Sequence, residues 1–213
     1  MEGLHARLEP LAPAHAVDLF EAQRDDGERH RYLPDHATDD PHAFAAMVAE
    51  RAASEDPLWF AVIDRRSRRA EGRQSFLRID QANGVVEIGH ILWGPAIART
   101  PVATEAFFLA ARHVFDDLGY RRFEWKCNDR NEASKRAARR FGMTHEGVFR
   151  QAAVVKGENR DTAWFSLLDS EWPQVRAAFE RWLAPANFDA AGRQRHRLAA
   201  GANGADGQRE ERP

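Results

Sequence analysis

The stretch WGPAIARTPVATEAF, from Trp93 to Phe107, has the composition of a loop that leads into a phosphate-binding helix. A helix start offers a phosphate unpaired backbone N–H groups and the positive end of the helix dipole. Thr100 can cap this helix, and Pro101 suits the first helical position because its missing N–H would have no partner there. A capped helix without a ligand is the alternative, since the loop is poor in glycine. The candidate phosphate-binding residues are Arg99, Thr100, Val102, Ala103 and Thr104.

A second stretch, CNDRNEASKRAARRFG, contains residue types that suit thiol chemistry at another helix start. Asn131 can cap this helix, which leaves Ser134 in the first turn beside the open end of the sheet. A hydroxyl there can hydrogen-bond a thiol or thiolate, or it only supports the cap. Cys127, just before the helix, is interpreted as a small buried residue rather than a nucleophile. A basic flank follows at helical spacing and is either solvated or in contact with a phosphate; it consists of Lys135, Arg136, Arg139 and Arg140.

The strand-like stretch VVEIGHILW holds two ionisable residues that are candidates for a general base, Glu87 and His90. An odd separation points them to opposite faces of a regular strand, so only one can face a given site unless a bulge intervenes. Glu87 shares its face with Ile91, and an apolar neighbourhood would raise the pKa of its carboxyl group toward neutrality. Pairing with an arginine such as Arg78 or Arg122 is the alternative and would lower that pKa. Glu87 is the better candidate of the two, because it shares its face with Ile91 while His90 points to the other face.

Around these stretches, the apolar patterns predict a mixed sheet with helices on both faces. Its centre is a strand–helix–strand–helix unit over residues 85–141, and Gly119 and Gly142 end the two helices of that unit. A domain over residues 1–183 is expected, followed by a flexible tail over 184–213, where the apolar pattern is lost. The predicted strands are ARLEPL, PLWFAVID, GRQSFLRID, NGVVEIGHILWG, YRRFEWKC, HEGVFRQAAVV and DTAWFSLLD, and the predicted helices are HAVDLFEAQ, 40–53, 101–118, 131–141 and PQVRAAFERWL.

The composition narrows the class of protein. A length of 213 residues favours one domain, and 31 Lys+Arg against 33 Asp+Glu give no argument for a nucleic-acid partner. The single cysteine excludes an internal disulfide and fits a reducing compartment. No apolar run approaches the roughly 20 residues of a membrane helix, and the N-terminal stretch lacks a secretory pattern, so a cytoplasmic protein without membrane contact is expected.

The order of elements and the motifs together resemble the GCN5-related N-acetyltransferase (GNAT) superfamily, in particular its RimJ/RimL-like branch. The resemblance spans residues 4–182 and rests on EIGHILWGP, on N-x-x-S-x-x-A-x-x-x-G-M from Asn131 to Met143, and on EGVFRQ and KGENRDTAWFSLLDSEWP. The cofactor-loop pattern of the family, Q/R-x-x-G-x-G/A, falls on residues 98–103. Ala103 agrees with that pattern, whereas Ala98 and Pro101 depart from it.

The resemblance implies an α/β fold with a central twisted, mostly antiparallel sheet of about seven strands, splayed at the cofactor site. It implies acetyl-CoA as acyl donor, with the pyrophosphate at the loop and helix start and the pantetheine arm along the strand that ends at Trp93. Backbone N–H groups of Ile91, Leu92 and Trp93 would polarise the thioester carbonyl. Asn131 would hold the pantetheine, and Ser134 would protonate the leaving thiolate.

The general base does not follow from the resemblance. Some members have a glutamate in the strand after the RQ pair, where this sequence has Ala153. Glu87 or His90, acting through water, remain as candidates, and a reaction of an already neutral amine without a base is also open.

We therefore expect a cytoplasmic N-acetyltransferase that transfers an acetyl group directly from acetyl-CoA to an amine, either a small molecule or a protein N-terminus. Neither a metal nor a nucleic acid is expected, and the chain would be a monomer or a homodimer. The alternative is a non-catalytic acyl-CoA-binding sensor or scaffold. The loop over residues 24–40 and the KGENRD hairpin are expected to line the acceptor side.

Overall fold

The computed structural model describes residues 1–24 and 27–200, so Asp25, Asp26 and the final part of the expected tail lie outside the described residues. The strands are β1 Ala6–Pro10, β2 Leu58–Asp64, β3 Ala70–Asp80, β4 Val85–Trp93, β5 Arg122–Asn128, β6 Thr144–Val155 and β7 Glu158–Leu168. The α-helices of the described residues are α1 Ala16–Ala22, α2 Pro41–Ala52, α3 Pro101–Arg112, α4 Glu132–Arg140 and α5 Trp172–Leu183.

The strands form a seven-stranded open sheet in the order β1-β2-β3-β4-β5-β7-β6. The pairing of β4 with β5 is parallel, and the other neighbouring strands pair antiparallel. The expected mixed, mostly antiparallel sheet is thus confirmed. The β4–β5 register extends from Val85 opposite Arg122 to Ile88 opposite Trp125 and goes no further. Because β4 continues to Trp93 and β5 to Asn128, the two strands splay apart at the centre of the sheet.

Local signals placed most helix starts correctly. Asp40 caps α2 by accepting a hydrogen bond from the backbone N–H of His42 at 2.8 Å. Asn131 caps α4 in the same way, accepting from Ser134 N–H at 3.0 Å. The helix predicted from Pro101 to Leu118 is shorter than expected, because α3 ends at Arg112 and a π-helical turn, His113–Asp117, follows it.

Helix α3 is the central packing element, with every residue from Val102 to Ala111 buried. Phe107 stacks on Phe141 at a centroid distance of 4.5 Å and contacts Phe179 of α5 at 5.8 Å. The buried carboxylate of Glu105, which sequence reasoning overlooked, accepts hydrogen bonds from the backbone N–H groups of residues 4, 5 and 6 at 2.5–2.8 Å. These contacts fix α3, and with it the loop that precedes α3, against the sheet.

The C-terminal segment differs from the flexible tail that was expected from residue 184. Residues 184–200 pack against the domain, with Ala200 only 3% exposed. The side chain of Asn187 donates to Trp182 O at 2.9 Å, and Trp182 Nε1 donates to Gln194 Oε1 at 2.8 Å. The segment has no apolar periodicity, so the sequence pattern did not reveal these side-chain amide hydrogen bonds. Residues 201–213 lie outside the described residues.

Across the described ranges, no helix combines the length and the apolar character that a membrane crossing requires.

Candidate active site

The splay between β4 and β5 opens into a continuous groove with three parts. An outer cavity of about 780 Å³ lies at the start of α3, a middle section of about 450 Å³ follows the end of β4, and an inner pocket of about 190 Å³ lies beneath residues 32–34. Trp93 lines both the outer and the middle part, and Ser134 lines both the middle part and the inner pocket. A long ligand can therefore extend from one end to the other.

The outer cavity is cationic. Arg140 of α4 donates to Thr104 Oγ1 at 3.0 Å, and its guanidinium lies 5.0 Å from the ring of Trp182. Part of the wall comes from the C-terminal segment, through Phe188 and residues 192–194. In the described part of the chain, this lining includes no aspartate or glutamate. Its cations are Arg29, Arg99, Arg136, Arg140 and Arg193.

The basic flank of α4 therefore divides between two environments. Arg136 and Arg140 face the cavity. Lys135 instead pairs with Asp129 at 3.1 Å and with Glu132 at 2.6 Å. Arg139 lies over the ring of Phe165 at 5.6 Å.

The start of α3 offers fewer free donors than the sequence suggested. Thr100 is the N-cap, and its Oγ1 accepts from Val102 N–H at 3.2 Å, while Thr104 N–H donates to the Thr100 carbonyl at 3.3 Å. Among the described residues, Ala103 N–H is the one of the three expected donors without an acceptor. Arg99, Ala103 and Thr104 line the outer cavity, whereas Thr100 and Val102 do not. The hydrogen-bond donors of the cavity lining are thus mainly arginine side chains.

The middle section brings the expected thioester-binding residues together. Ile91, Leu92 and Trp93 line it on the β4 side, and Asn131 and Ser134 line it on the α4 side. β5 does not pair with β4 beyond Ile88, so no strand of the described residues covers the groove side of β4 there. The Trp93 carbonyl accepts from Arg29 Nη1 at 3.2 Å.

The hydroxyl of Ser134 accepts a hydrogen bond from Trp125 Nε1 at 2.9 Å. Burial raises the pKa of the neighbouring Cys127 thiol despite its hydrogen bond with Ser134, so Cys127 stays protonated at neutral pH. This supports a structural role for Cys127, and the Ser134 hydroxyl remains the candidate that lines both the middle section and the inner pocket.

A β-bulge changes the expected relation of Glu87 and His90. Between the pairs Arg73–Leu92 and Ser75–Gly89, β4 contains one residue more than β3, and His90 has a positive φ of 50°. The extra residue reverses the alternation of side chains beyond Gly89. Both Glu87 and His90 consequently line the inner pocket, so the opposite faces expected of a regular strand do not apply here.

Glu87 is buried, at 7% exposure, and its carboxylate is paired. Lys126 Nζ lies 2.8 Å from Glu87 Oε2, and Arg78 Nε lies 3.8 Å from the same oxygen. Burial nevertheless dominates, and it raises the pKa of Glu87 above its ordinary value even though Lys126 and Arg78 oppose the shift. Both expectations for Glu87 therefore hold in part: its carboxylate is paired with cations, and its pKa is raised nonetheless.

His90 belongs to a packed network. Its Nδ1 lies 2.8 Å from Ser75 Oγ, and its ring stacks on Trp59 at 4.7 Å. Burial, together with the positive charges of Arg73 and Arg51, lowers the pKa of His90 to about 4. The imidazole is therefore neutral at pH 7 and is a weaker base than an ordinary histidine.

A buried ion cluster behind His90 was missed by sequence reasoning. Arg73, only 1% exposed, bonds Asp35 Oδ2 through Nη2 at 2.6 Å, and Arg51 Nη2 lies 3.3 Å from the same oxygen. Asp35 belongs to the loop expected on the acceptor side, so this cluster fixes that loop over the pocket. Lys156 of the β6–β7 turn adds a second anchor by donating to His30 O at 2.7 Å. No local signal marked the cluster, because β3 contains several other polar residues besides Arg73.

No group of side chains with metal-ligand character occurs within residues 1–24 and 27–200.

The comparison with known proteins agrees with this architecture. Residues 5–144 match the family model described as an acetyltransferase (GNAT) domain. A GCN5-related N-acetyltransferase from Brucella melitensis is 52% identical with a TM-score of 0.91, over 92% of this chain and 90% of that chain. A probable GNAT-family acetyltransferase from Chromobacterium violaceum ATCC 12472 is 43% identical with a TM-score of 0.76, over 81% and 87% of the two chains.

A further relative, the uncharacterized N-acetyltransferase p20 of Bacillus licheniformis, is 31% identical over 117 residues. That match spans 53% of this chain and 63% of the relative, less than two thirds of its length. The fold and the splayed central strands define an acetyltransferase-type domain. The chain belongs to the GCN5-related N-acetyltransferase family, whose members generally use acetyl-CoA.

Proposed function

We propose that this protein is a cytoplasmic, RimJ/RimL-like N-acetyltransferase that transfers the acetyl group of acetyl-CoA directly to a primary amine. The observation that carries the proposal is the continuous groove, because it joins an arginine-lined cavity to a small pocket that contains Glu87. An acyl donor with several phosphates at one end and a reactive thioester at the other fits a groove that is cationic at one end and contains a carboxylate at the other.

Each part of the groove has a distinct role in this proposal. Acetyl-CoA would supply the activated thioester. The arginines of the outer cavity would bind its phosphates by charge-assisted hydrogen bonds. The open edge of β4 from Ile91 to Trp93 would bind the pantetheine and the thioester carbonyl, and the Asn131 side chain would add a contact from α4.

Proton transfer would involve the two candidates at the inner end. Glu87 would accept a proton from the acceptor's ammonium group, directly or through water, and the resulting neutral amine would attack the thioester carbonyl; the raised pKa makes Glu87 more basic than an ordinary glutamate. Ser134 would donate a hydrogen bond or proton to the departing thiolate. His90, held neutral by its surroundings, would shape the pocket and could accept a hydrogen bond.

The proposal is tested by measuring free thiol release from acetyl-CoA with a panel of small amines and peptides. Amine-stimulated release supports transfer. Tight acetyl-CoA binding without release for any amine would support the alternative, a non-catalytic acyl-CoA sensor or scaffold. The paired, positioned carboxylate in the inner pocket favours the enzyme, because a sensor has no need of it.

Ser134→Ala is expected to lower kcat by about 10- to 100-fold, at or below the usual range for a general acid, because a thiolate is already a good leaving group. The dissociation constant for acetyl-CoA should change little, since the hydroxyl acts in the transition state. Calorimetry and steady-state kinetics give both quantities. Trp125 Nε1 loses its acceptor in this variant, so chemical denaturation must show that the protein is still folded under assay conditions. Equal losses in binding and turnover would make Ser134 only a cap-supporting residue.

Arg136→Gln is expected to weaken acetyl-CoA binding about three- to tenfold without changing kcat, because the exposed guanidinium contributes one screened phosphate contact. The loss should shrink as ionic strength rises. Arg139→Gln is the matched control, since Arg139 lies on the same helix but over Phe165 and away from the cavity. If both variants bind acetyl-CoA equally well, the outer cavity is not the phosphate site.

A further inference from the structure

The inner pocket contains a cation that its own residues do not neutralise. Arg29, which also lines the pocket, donates to the Trp93 carbonyl at 3.2 Å. Charges on the neighbouring strands form a network, in which Glu87 pairs with Lys126 and Arg78, and Glu124 pairs with Lys126 and Arg122. Glu146 completes this network by pairing with Arg122. Three carboxylates and three cations balance in this set. Arg160, which lines the same pocket, is outside the network.

Arg160 lacks a carboxylate partner in the part of the chain that the structure describes. Its Nε atom is buried and has no hydrogen-bond acceptor. The adjacent Asp161 is occupied within the hairpin, where it accepts from Gln151 N–H at 2.7 Å and from Asn159 Nδ2 at 3.0 Å. A buried charged donor without an acceptor is costly, and such donors at a cavity wall are satisfied when a ligand supplies the acceptor.

Two further titratable groups that line the pocket with Arg160 are uncharged. His90 is uncharged at neutral pH, and Cys127 is a protonated thiol. Asp35 is engaged by Arg73 and Arg51 on the far side of His90. An acceptor with several positive charges would place one of them near Arg160 in a cavity of only about 190 Å³. The charge distribution opposes polyamine-type acceptors and favours an amine that carries its own negative charge.

We infer that the acceptor is an amine that carries a carboxylate, and that Arg160 binds this carboxylate while Glu87 faces the amine. The inference rests on the proposed function, because it names the second substrate of that reaction. Two sources share this chemistry, a free amino acid and a peptide N-terminus with an acidic side chain in the second position. The guanidinium offers several N–H donors in a planar arrangement that matches both oxygens of a carboxylate.

The test compares kcat/KM for pairs of acceptors that differ in the carboxylate. Ala-Glu amide is compared with Ala-Gln amide, and alanine with alaninamide, with each rate corrected for the fraction of neutral amine. Ethanolamine, O-phosphoethanolamine and spermidine complete the panel. Wild type is expected to prefer the carboxylate member of at least one pair by about 10- to 100-fold, the range of a hydrogen bond to a charged group. The pair that shows the preference identifies the source.

The variants separate Arg160 from a general charge effect. In Arg160→Gln, the ratio of kcat/KM between the carboxylate and the amide member of the preferred pair should fall close to one. Arg160→Lys should retain part of the wild-type ratio. Arg150→Gln, an exposed arginine of β6 that does not line the pocket, is the matched control and should keep the wild-type ratio. A wild-type ratio near one overturns the inference. So does a ratio that persists in Arg160→Gln, or a clear preference for spermidine or O-phosphoethanolamine.

A separate readout distinguishes this inference from the proposed function. Acetyl-CoA binding is measured by calorimetry for every variant and should be unaffected by Arg160→Gln. If no amine is turned over, the same acceptor pairs are titrated into the protein with CoA present. Equal affinities within each pair then overturn the carboxylate assignment. Failure to bind acetyl-CoA contradicts the proposed function. The acceptor titrations then still test the carboxylate assignment by themselves.

Discussion

Glu87→Gln is expected to lower kcat/KM at pH 7 by about 10²- to 10⁴-fold, the contribution of a positioned general base. The variant keeps the shape of the side chain and its burial but removes the group that can accept the ammonium proton. The defect should shrink as the pH rises through the pKa of the acceptor amine, because an amine that is already neutral needs no base. Steady-state kinetics with one amine between pH 5 and pH 10 measure this recovery.

The pH profile also identifies the base. A base must be deprotonated to act, so with a raised pKa wild-type activity is lost on the acidic side at a higher pH than for an ordinary glutamate. Glu87→Gln should lose this limb. His90→Gln should keep it, because the pKa of His90 is lowered to about 4. If His90→Gln abolishes the limb instead, His90 is the base.

Glu124→Gln is the matched control for the Glu87 variant. Glu124 is the β5 residue opposite Glu87, and it pairs with the same Lys126 at 2.8 Å, but it does not line the inner pocket. Replacing Glu124 perturbs the ion network but leaves the Glu87 carboxylate in the pocket. A loss of activity in Glu124→Gln as large as that in Glu87→Gln would show that the network, and not the base, is responsible.

Asp35→Asn is expected to lower the free energy of unfolding by about 3–5 kcal/mol, the usual cost of removing one partner of a buried ion pair. Arg73 would keep its charge at 1% exposure while losing the carboxylate that bonds it at 2.6 Å. Activity should fall as well, because this pair holds the loop with Tyr32 over the inner pocket. Urea denaturation at pH 7 measures the stability.

Two comparisons show whether the buried charge causes this loss. Adding Arg73→Met to Asp35→Asn should recover part of the stability, since the unpaired charge is then removed. Asp129→Asn, which affects the surface pair with Lys135, should cost about 1 kcal/mol or less. A loss in Asp35→Asn no larger than in Asp129→Asn would mean that the cluster contributes little.

The pH dependence of stability should follow from the same residue. Burial alone would raise the pKa of Asp35, but contact with His30 and the charges of Arg73 and Arg51 together hold it well below its usual value. A depressed folded-state pKa stabilises the protein above the unfolded-state value of about 3.9, and this contribution is lost as the pH falls below it. The difference in stability between wild type and Asp35→Asn should therefore narrow below about pH 4.

The sequence alone determined the features that depend on neighbouring residues. Thr100 with Pro101, Asp40 with Pro41, and Asn131 mark helix starts because a cap acts on N–H groups two or three residues further on. Alternating apolar residues indicated the strands, and the order of elements together with the motifs that resemble the GNAT superfamily predicted the fold. The three-residue spacing of Asn131 and Ser134 also placed the hydroxyl in the first turn of α4.

The tertiary structure decided the features that depend on distant residues. The bulge that brings Glu87 and His90 into one pocket arises from the register of β4 against β3, which alternation within β4 does not reveal. The pair Asp35–Arg73 joins residues 38 positions apart, and no local pattern marks it. Residues 184–200 look like a solvated tail in composition, yet they form a wall of the cationic cavity, because amide hydrogen bonds and a few aromatic contacts replace the apolar periodicity that sequence reasoning detects.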